Sequence, residues 1–510
     1  MRRFFYMIGL CILGFAVMVV AAQNIPPSAL LGGDNTVFDT SNEAFTNPLP
    51  LLTADELEQF EEGDELFEDI WRGNDGLGPI FNATSCEGCH IADGRGRPPA
   101  FTGETGTGLL IRLALNQQNA NGSTLPDPIY GGQFQDDSTR RTTAEGTIDL
   151  SYQPIIGAYP DGTSYTLYQP TYNLVNLNYG DLHSDITMSP RLAGQMIGLG
   201  LLEAIPDQTL LALADPTDAN GDGISGRVNM VWDSVAGALA IGRFGWKANQ
   251  PNLLQQAAGA FNGDIGITSS LNPLQPCTDA QVRCFDDTPN RGRNGRRDNR
   301  RTNNPPPPPN RRGNNPPPPN NGQNPPPPPL NVGNNNLLPP PPPNGENNNG
   351  LEVSNEELQL VTFYSSTLAV PAQRNPDDPQ VLAGQTLFEN AQCSSCHIPT
   401  LQTGTHTISA LSNQTIHPYT DLLLHDMGSG LADGQLDFQA SGSEWRTAPL
   451  WGIGLLEEVN GYAFYLHDGR ARTLEEAIMW HGGEAENSRN TFASMSADDK
   501  AALIAFLKSL

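Results

Sequence analysis

The stretch Cys86-Glu87-Gly88-Cys89-His90 recurs later in the chain as Cys393-Ser394-Ser395-Cys396-His397. Cys-x-x-Cys-His is the attachment signal of a c-type haem, in which two thiols bind the porphyrin and the histidine becomes the proximal iron ligand. One copy could instead be a redox pair, or half of a zinc site followed by a chance histidine. Two copies in a chain with only seven cysteines favour haem. The sequence therefore predicts two covalently bound c-type haems, on His90 and His397.

The residues before each motif repeat as well. Gly63-x-x-Leu66-Phe67 precedes the first motif, and Gly384-x-x-Leu387-Phe388 precedes the second. A paired motif of this kind indicates two modules of the same type, each with a helix that leads to its haem. We predict a mainly α fold with two cytochrome c-like domains, at residues 53–285 and 351–510. A small β-containing insertion is expected in the first domain near 105–179, where Thr, Tyr, Gly and Asn are frequent.

Several helix starts follow from local capping patterns. Thr53 and Ser496 each stand three residues before an acidic residue, which is typical of a capping box or a close variant of it. Asp378-Pro379 places a proline at the first position of the helix that leads to the second motif. Ser189-Pro190 predicts a further helix from about 191 to 203, because apolar residues follow it at helical spacing.

Three segments lie outside the two predicted domains. Residues 1–22 have a charged start, an apolar run and a small-residue end, which predicts a secretory signal peptide, with an uncleaved membrane anchor as the alternative. Residues 23–52 are expected to form an extended N-terminal arm. Residues 286–350 combine proline runs with Asn, Gly and Arg, which predicts a disordered linker. Export to the periplasm, or otherwise out of the cytoplasm, agrees with the haem motifs, since c-type haems are attached there.

The charge balance limits the classes of partner. The chain carries 28 Lys and Arg against 56 Asp and Glu, a formal net charge of -28. Nucleic-acid binding is therefore not expected, because the phosphate backbone would be repelled. A basic patch on a small redox protein would be attracted. We expect such a protein, or another electron donor, as the partner.

Two further patterns concern binding and cross-linking. Cys277 and Cys284 are the only thiols outside the haem motifs and the N-terminal apolar run, so a disulfide between them is expected, with a reactive pair as the alternative. Asp218, Asn220 and Asp222 offer oxygen ligands at alternate positions, as in the first half of a calcium loop. Asn229 stands where an EF-hand has Glu. A partial calcium site and an Asx-rich turn both remain open.

Three stretches in the second domain resemble the C-terminal signature of the bacterial di-haem cytochrome c peroxidase superfamily. They are Arg446-Thr447-Ala448-Pro449-Leu450, Phe464-Tyr465-Leu466-His467-Asp468-Gly469-Arg470 and Leu474-Glu475-Glu476-Ala477-Ile478. Over the whole chain, the sequence resembles the bacterial family of di-haem oxidoreductases or peroxidases, also labelled thiol oxidoreductases. The stretches that carry this likeness are Gly76–Pro79, Gly198–Pro206, Gly242–Ala248 and Leu422–Gly428. The resemblance covers roughly 55–285 and 355–510, and leaves the proline-rich block outside.

The resemblance implies which residue binds the second haem opposite His397. In the superfamily this ligand follows the histidine of the C-terminal signature at a fixed distance. Counted from His467, the position falls on His481. Met427, close to His425, is the competing ligand.

The resemblance also implies a peroxide pocket in the first domain. Trp246 and Gln256 match a tryptophan that relays electrons between the haems and a glutamine that lines the pocket. In the family, an acidic residue of the pocket follows the glutamine, and the matching position in this sequence is Gly266. The nearest acid, Asp264, is therefore taken as the distal acid/base, with Glu203 as the alternative.

A switchable ligand of the first haem is implied as well. His183 lies roughly where the peroxidases keep a histidine that leaves this haem on activation. The activity implied is reduction of hydrogen peroxide at haem 1, on His90, with electrons delivered through haem 2, on His397. Two alternatives use the same scaffold. One is oxidation of a specific protein or organic substrate, and the other is pure electron transfer.

Overall fold

The structure is a computed structural model that describes residues 26–286 and 351–510. The predicted signal peptide at 1–22, with its alternative of a membrane anchor, lies outside the described residues. So does the predicted linker at 286–350, apart from its first residue, Asp286, which is the last residue of a short helix. In the two described ranges, no helix is both long and apolar enough to cross a membrane.

Eleven α-helices are found in the described ranges. They are α1 (Ala54–Glu68), α2 (Leu199–Glu203), α3 (Asp207–Leu213), α4 (Leu253–Ile265), α5 (Val282–Asp286), α6 (Asn355–Thr367), α7 (Pro379–Asn390), α8 (Leu456–Asn460), α9 (Leu474–Trp480), α10 (Glu486–Ala493) and α11 (Ala497–Ser509). Most of them are short, and long loops connect them.

Strands are numerous but mostly short. They are β1 (Thr36–Val37), β2 (Ile80–Phe81), β3 (Leu109–Gln118), β4 (Thr124–Leu125), β5 (Asp137–Ser138), β6 (Thr147–Ala158), β7 (Ser164–Val175), β8 (Ile186–Leu192), β9 (Met230–Asp233), β10 (Ala238–Ile241), β11 (Val370–Pro371), β12 (Leu401–Gln402), β13 (Thr415–Ile416), β14 (Leu424–Asp426) and β15 (Glu444–Arg446). They form small sheets of two or three strands.

The prediction of a mainly α fold is wrong. The described chain is only 29 % helical and 19 % strand, with many small sheets. The physical reason is that much of the chain between the helices pairs with distant segments. For example, β3 pairs with β8, which lies far along the chain. Neighbouring segments pair as well, since the long strands β6 and β7 form a hairpin.

The helix that leads to the first motif is α1. Thr53 caps it, and Thr53 and Glu56 form a reciprocal capping box. Its apolar side buries Phe60, Leu66 and Phe67 against α6. The crossing is close at Gly63, where a Cβ atom would overlap the backbone of Leu360. Helix α6 follows the undescribed segment in sequence, yet it packs on the helix of the first motif.

The helix that leads to the second motif is α7, and it packs against the final helix α11. Asp378 caps α7, and Pro379 occupies its first turn. Ser496 caps α11 by accepting a hydrogen bond from the Asp499 backbone N–H. Gly384 again lies at the crossing, where a Cβ atom would overlap the carbonyl of Ala502. The repeated glycine therefore has the same packing role in both modules.

The insertion in the first domain carries the largest sheets. Strands β4, β3 and β8 form one antiparallel sheet in that order, and β6 and β7 form a long hairpin. The hairpin reaches the second module. There, Tyr159 donates a hydrogen bond to Glu475 at 2.6 Å, and the Lys500 ammonium lies 3.4 Å from the centre of the Tyr159 ring. The insertion therefore joins the two modules.

The helix predicted over 191–203 is wrong for most of its length. Residues Ile186–Leu192 form β8, and only Leu199–Glu203 are helical. Pairing with β3 provides a hydrogen-bond ladder that a helix at this position would lose. Gly198 then starts the short helix with a positive φ of 69°.

Residues 26–52 of the predicted N-terminal arm contact the second half of the chain. Strand β1 pairs in parallel with β11, and Pro48 forms a bridge with Leu368. Leu31 and Phe45 are fully buried. This segment therefore contributes to the core that joins the modules.

Candidate haem sites

One cavity of about 750 Å³ reaches both Cys-x-x-Cys-His motifs. Its wall combines the motif residues with residues from the insertion, from α4 and from the loops of the second module. The residues of functional interest that line it are Cys86, Cys89, His90, Cys393, Cys396, His397, Trp246, Gln256, Asp264, Met427 and His481. The fold thus brings to one place residues that are up to four hundred positions apart in the sequence.

The first motif folds into a tight turn that exposes one nitrogen of its histidine. The backbone N–H groups of Cys89 and His90 both donate to the carbonyl of Cys86. His90 Nδ1 lies 2.7 Å from the carbonyl oxygen of Gly194. Because a carbonyl only accepts, Nδ1 carries the proton and Nε2 keeps its lone pair for a metal. Burial also lowers the pKa of His90, which favours the neutral, ligating form.

The second motif has the same arrangement. The His397 N–H donates to the Cys393 carbonyl, and His397 Nδ1 lies 2.9 Å from the carbonyl oxygen of Tyr419. Nε2 is again left as the ligating atom. Burial lowers the pKa of His397 to about 4. Both imidazoles are therefore held in the tautomer that an iron ligand needs.

The donor set fits c-type haem. Cys86, Cys89, Cys393 and Cys396 are all free of disulfides, so each motif offers two thiols for the porphyrin and one imidazole for the iron. Cys277 and Cys284 are joined to each other as a disulfide. No haem thiol is therefore consumed by that pair.

Both candidate ligands opposite His397 line the cavity. His481 follows α9, and its Nδ1 lies 2.8 Å from the carbonyl oxygen of Ala477, so it too offers Nε2. A positive charge on His481 would lower the pKa of His397, because two protonated imidazoles repel each other. Met427 lies beside the residues that follow His481, since its carbonyl is close to Gly482. The assignment of His481 stays a prediction, with Met427 as the competitor.

Asp264 stands at the C-terminal end of α4, beside the first motif. Its backbone carbonyl accepts hydrogen bonds from Asn82 and Ala83, just before Cys86. Its carboxylate accepts a hydrogen bond of 2.8 Å from Gln133 Nε2. Burial raises the pKa of Asp264 to about 6, although Gln133 and Arg112 act in the opposite direction. Such a carboxyl group can take up and release a proton near neutral pH.

Two residues of this pocket were missed by sequence reasoning. Arg112 donates to Gln133 Oε1 at 3.0 Å, and Gln133 in turn holds Asp264. Arg112 lies on β3, and Gln133 forms a bridge with it. Both belong to the insertion, far from Asp264 in sequence. Only the pairing of the strands reveals the contact, so no local motif could have identified them.

Two predicted candidates lie away from the cavity. Glu203 accepts a hydrogen bond of 2.7 Å from the Leu253 N–H at the start of α4, and does not line the cavity. His183 is exposed before β8, with its backbone N–H bound to Asp127. It does not line the cavity either. The structure therefore does not bring His183 to haem 1, or Glu203 to the pocket that contains Asp264.

Trp246 belongs to a row of three aromatic rings. Its Nε1 donates to the Leu192 carbonyl at 2.7 Å, and its ring centre lies 6.5 Å from that of His467. His467 in turn stacks on Trp445, with ring centres 3.7 Å apart. All three rings line the cavity. The family resemblance indicates Trp246, and His467 serves there only as the position from which His481 is counted. No sequence pattern indicates that Trp445 stacks on His467.

The predicted calcium loop closes on itself through backbone hydrogen bonds. Asp218 accepts from the Gly223 N–H, Asn220 from the Asp222 N–H, and Asp222 from the Ile224 N–H. These are the contacts of an Asx-rich turn. Calcium binding by Asp218, Asn220 and Asp222 stays a prediction.

A different cluster of potential metal ligands lies beside the second motif. Cys396, Asp421 and His425 have ligand atoms within 4.8 Å of one another. His425 is held between Asp421 at 2.8 Å and Glu484 at 2.7 Å. Burial lowers the pKa of His425, but its hydrogen bonds with Asp421, Cys396 and Glu484 raise the pKa to about 12. An imidazolium does not bind a metal, and Cys396 belongs to the haem motif, so this cluster is an ion-pair network.

Comparison with known proteins agrees with the two-motif organisation. The family described as "Di-haem oxidoreductase, putative peroxidase" matches residues 28–120, 131–283 and 343–510. No curated protein matches the chain. Hydrazine synthase from Kuenenia stuttgartiensis, solved under xenon pressure, is 21 % identical over 31 % of this chain and 56 % of its own, with a TM-score of 0.20. A likeness that low bears on neither fold nor activity.

Proposed function

The chain belongs to the di-haem oxidoreductase family, and from that premise we propose that it is an exported c-type enzyme that reduces hydrogen peroxide at haem 1. Electrons are delivered to that site through haem 2. The observation that carries the proposal is the single cavity that reaches both motifs and that is also lined by Asp264 and Trp246. A buried carboxyl group and an indole ring thus share one space with both motifs, which supports a role in proton transfer for the first and in electron transfer for the second.

The residues that would hold the two haems are those of the motifs. Cys86 and Cys89 would form the thioether bonds of haem 1, and His90 would bind its iron. Cys393, Cys396 and His397 would do the same for haem 2, with His481 as the opposite ligand. When bound, the haem irons supply a place for peroxide to bind and the capacity to transfer one electron at a time.

Asp264 would move the proton. In its ionised form, Asp264 would take a proton from the peroxide oxygen nearer the iron. It would then give that proton to the other oxygen, which leaves as water. Gln133 fixes the carboxylate by its hydrogen bond of 2.8 Å, and Arg112 fixes Gln133. Gln256 lines the same cavity and is available to orient the substrate.

Trp246 would carry electrons toward haem 1. It is anchored through Nε1, so its ring is held in one orientation. Arg95 lies over it, with the guanidinium carbon 5.2 Å from the ring centre. The His467 and Trp445 rings follow Trp246 in the row, and Trp445 belongs to β15. Strand β15 pairs with β14, and His425 of β14 lies beside Cys396.

The electron donor is expected to be a small redox protein with a basic face. The net charge of -28 attracts such a partner over a distance and accelerates the encounter. Export is supported by the predicted signal peptide at 1–22. The Cys277–Cys284 disulfide agrees with an oxidising compartment.

Electron paramagnetic resonance of the haem-loaded protein tests the proposal. The spectrum is recorded for the oxidised protein and after addition of one electron per molecule. A high-spin ferric signal beside a low-spin bis-histidine signal, followed by peroxide consumption with a reduced donor, is expected. Two low-spin signals that persist after half-reduction would leave an electron carrier and overturn the peroxidase assignment.

A further inference from the structure

A buried tyrosine next to the first haem motif has the surroundings of a redox-active residue. Tyr364 belongs to α6 and is 1 % exposed. We propose that Tyr364 is a radical-forming electron donor to haem 1, with Asp93 as the acceptor of its phenolic proton. The inference rests on the proposed function, because peroxide must first oxidise haem 1. Tyr364 would give haem 1 an electron of its own, in addition to the electrons that reach haem 1 from haem 2 through Trp246.

The hydroxyl of Tyr364 is held by acids. It donates a hydrogen bond of 2.7 Å to Asp93 Oδ2, and the charge of Asp64 also raises the pKa of the phenol. Asp93 is 2 % exposed, and its second oxygen, Oδ1, has no hydrogen-bond partner. A carboxylate with a free, buried oxygen is poorly satisfied. A proton from the phenol would neutralise the buried, poorly satisfied carboxylate of Asp93.

The ring of Tyr364 is connected to the proximal histidine through one aromatic residue. Its centre lies 5.1 Å from that of Phe67, and Phe67 lies 6.1 Å from His90. Phe60 packs on the other side at 4.8 Å. Electron transfer between Tyr364 and haem 1 would therefore cross packed rings in a water-poor core.

The step is balanced within the protein. Tyr364 would give one electron to oxidised haem 1, and the O–H bond of its phenol would break as the proton moves to the carboxylate of Asp93. The product is a neutral tyrosyl radical next to a protonated Asp93. An electron from the reduced donor and the return of the same proton restore the tyrosine.

The charges around the pair favour proton transfer. Burial raises the pKa of Asp93 well above its ordinary value, and Glu87, Asp64 and Glu68 raise it further, although the Tyr364 hydrogen bond lowers it. A carboxylate with a raised pKa is a better proton acceptor. The acids also disfavour a negatively charged phenolate, since burial and both aspartates raise the pKa of Tyr364 far above its ordinary range. The proton must therefore leave together with the electron.

The second module offers a matched comparison. There, Phe388 lies 6.3 Å from His397 and 6.0 Å from Tyr419, which repeats the arrangement of rings around Phe67. Glu389 affects Tyr419 through its charge, and among the described residues no carboxylate accepts a hydrogen bond from the Tyr419 hydroxyl. The two tyrosines thus differ in the proton acceptor.

The test uses the full-length, haem-loaded protein, mixed with hydrogen peroxide in the absence of donor and frozen for electron paramagnetic resonance. We expect a free-radical signal that narrows when the protein contains ring-deuterated tyrosine. Tyr364→Phe should abolish the signal. Tyr419→Phe, which removes only a hydroxyl and keeps the carbonyl that orients His397, should retain it. Asp93→Asn keeps the phenol but removes its proton acceptor, so the radical yield should fall.

The haem absorption spectrum of the same samples tests the peroxidase assignment separately from the tyrosine proposal. If peroxide changes the haem spectrum and no tyrosyl signal forms, or if the signal survives Tyr364→Phe, the tyrosine proposal is overturned and the peroxidase assignment stands. An undiminished signal in Asp93→Asn overturns the role of Asp93. If peroxide leaves the haem spectrum unchanged, both the peroxidase assignment and the tyrosine proposal are wrong.

Discussion

Burial of Asp264 sets both its chemistry and the pH range in which it can act. A carboxylate in water would be too weak a base to take a proton from peroxide, whereas burial raises the pKa of Asp264 to about 6. The hydrogen bond from Gln133 fixes the orientation of the Asp264 carboxylate. The pocket thus supplies a base that is ionised at neutral pH and that still binds a proton readily.

Replacement of Asp264 by Asn should therefore impair catalysis and leave haem binding intact. We expect the rate of peroxide reduction to fall by about 10²- to 10⁴-fold, the usual contribution of a general acid/base. Stopped-flow kinetics with a reduced donor measures the rate. Glu203→Gln is the control, because Glu203 lies outside the cavity. A larger loss in Glu203→Gln than in Asp264→Asn would reverse the assignment.

The pH profile provides an independent check on the same residue. Since Asp264 must be ionised to accept a proton, the rate should fall as the pH decreases through about 6, and should level off above it. The profile is measured from about pH 4 to about pH 8, which is about two units on either side of this pKa. Asp264→Asn should lose this step. A step of equal size in the variant would show that another group controls the rate.

The ligand of haem 2 can be decided by a second substitution. His481→Gly should convert haem 2 from low-spin to high-spin, because the iron loses its sixth ligand. Optical and electron paramagnetic resonance spectra report the change. Met427→Leu is the matched variant, and it should leave haem 2 low-spin. The opposite result would make Met427 the ligand.

Among the structural elements, the helix crossings at Gly63 and Gly384 explain the repeated pattern before each motif. At both positions a side chain would overlap the backbone of the partner helix. The glycines let α1 approach α6 and let α7 approach α11. Each approach buries the phenylalanine that packs near the motif histidine, Phe67 or Phe388.

Gly384→Ala should consequently destabilise the second module. We expect a loss of about 1–3 kcal/mol or more in the free energy of unfolding, because the added methyl group forces α7 away from α11. Chemical denaturation followed by circular dichroism measures the loss. Ala383→Ser, on the exposed side of the same helix, should change the stability by less than about 0.5 kcal/mol. Equal effects of the two substitutions would contradict the packing argument.

Local signals in the sequence predicted the elements whose structure is decided locally. The caps at Thr53, Asp378 and Ser496 are found where the sequence places them. The helix predicted at 191–203 failed, because β3, which is distant in sequence, determines the conformation of β8. The mainly α prediction failed for the same reason, since pairing between distant segments does not appear in local periodicity.

For the molecule as a whole, the acidic charge should govern the encounter with a basic donor. We expect the second-order rate of electron transfer from a basic cytochrome to fall by about 10-fold or more as the salt rises from about 0.01 M to 1 M. Laser-flash or stopped-flow kinetics measures it. An uncharged reductant is the control, and its rate should be nearly independent of salt. A salt-independent rate with the basic cytochrome would exclude electrostatic attraction as the basis of partner choice.

The composition of the candidate site could be predicted only in part. The cysteines and histidines of the motifs, Trp246 and Asp264 were accessible from short patterns and family resemblance, and all of them line the cavity. Arg112 and Gln133 were not, because the insertion brings them to Asp264 only in the folded chain. Tyr364 was missed as well, since it faces the first motif from a helix beyond the linker.

That position of α6 has a consequence for biosynthesis. The segment that completes the surroundings of His90, including Tyr364, is synthesised only after the long stretch 287–350. The first Cys-x-x-Cys-His motif is therefore synthesised well before α6, and that helix cannot cover it until the later part of the chain has been made. Under the proposed covalent attachment, this interval would leave Cys86 and Cys89 accessible to the machinery that attaches haem. Packing of α6 on α1 would then cover that side of the motif, so the order of synthesis would determine when haem can be attached.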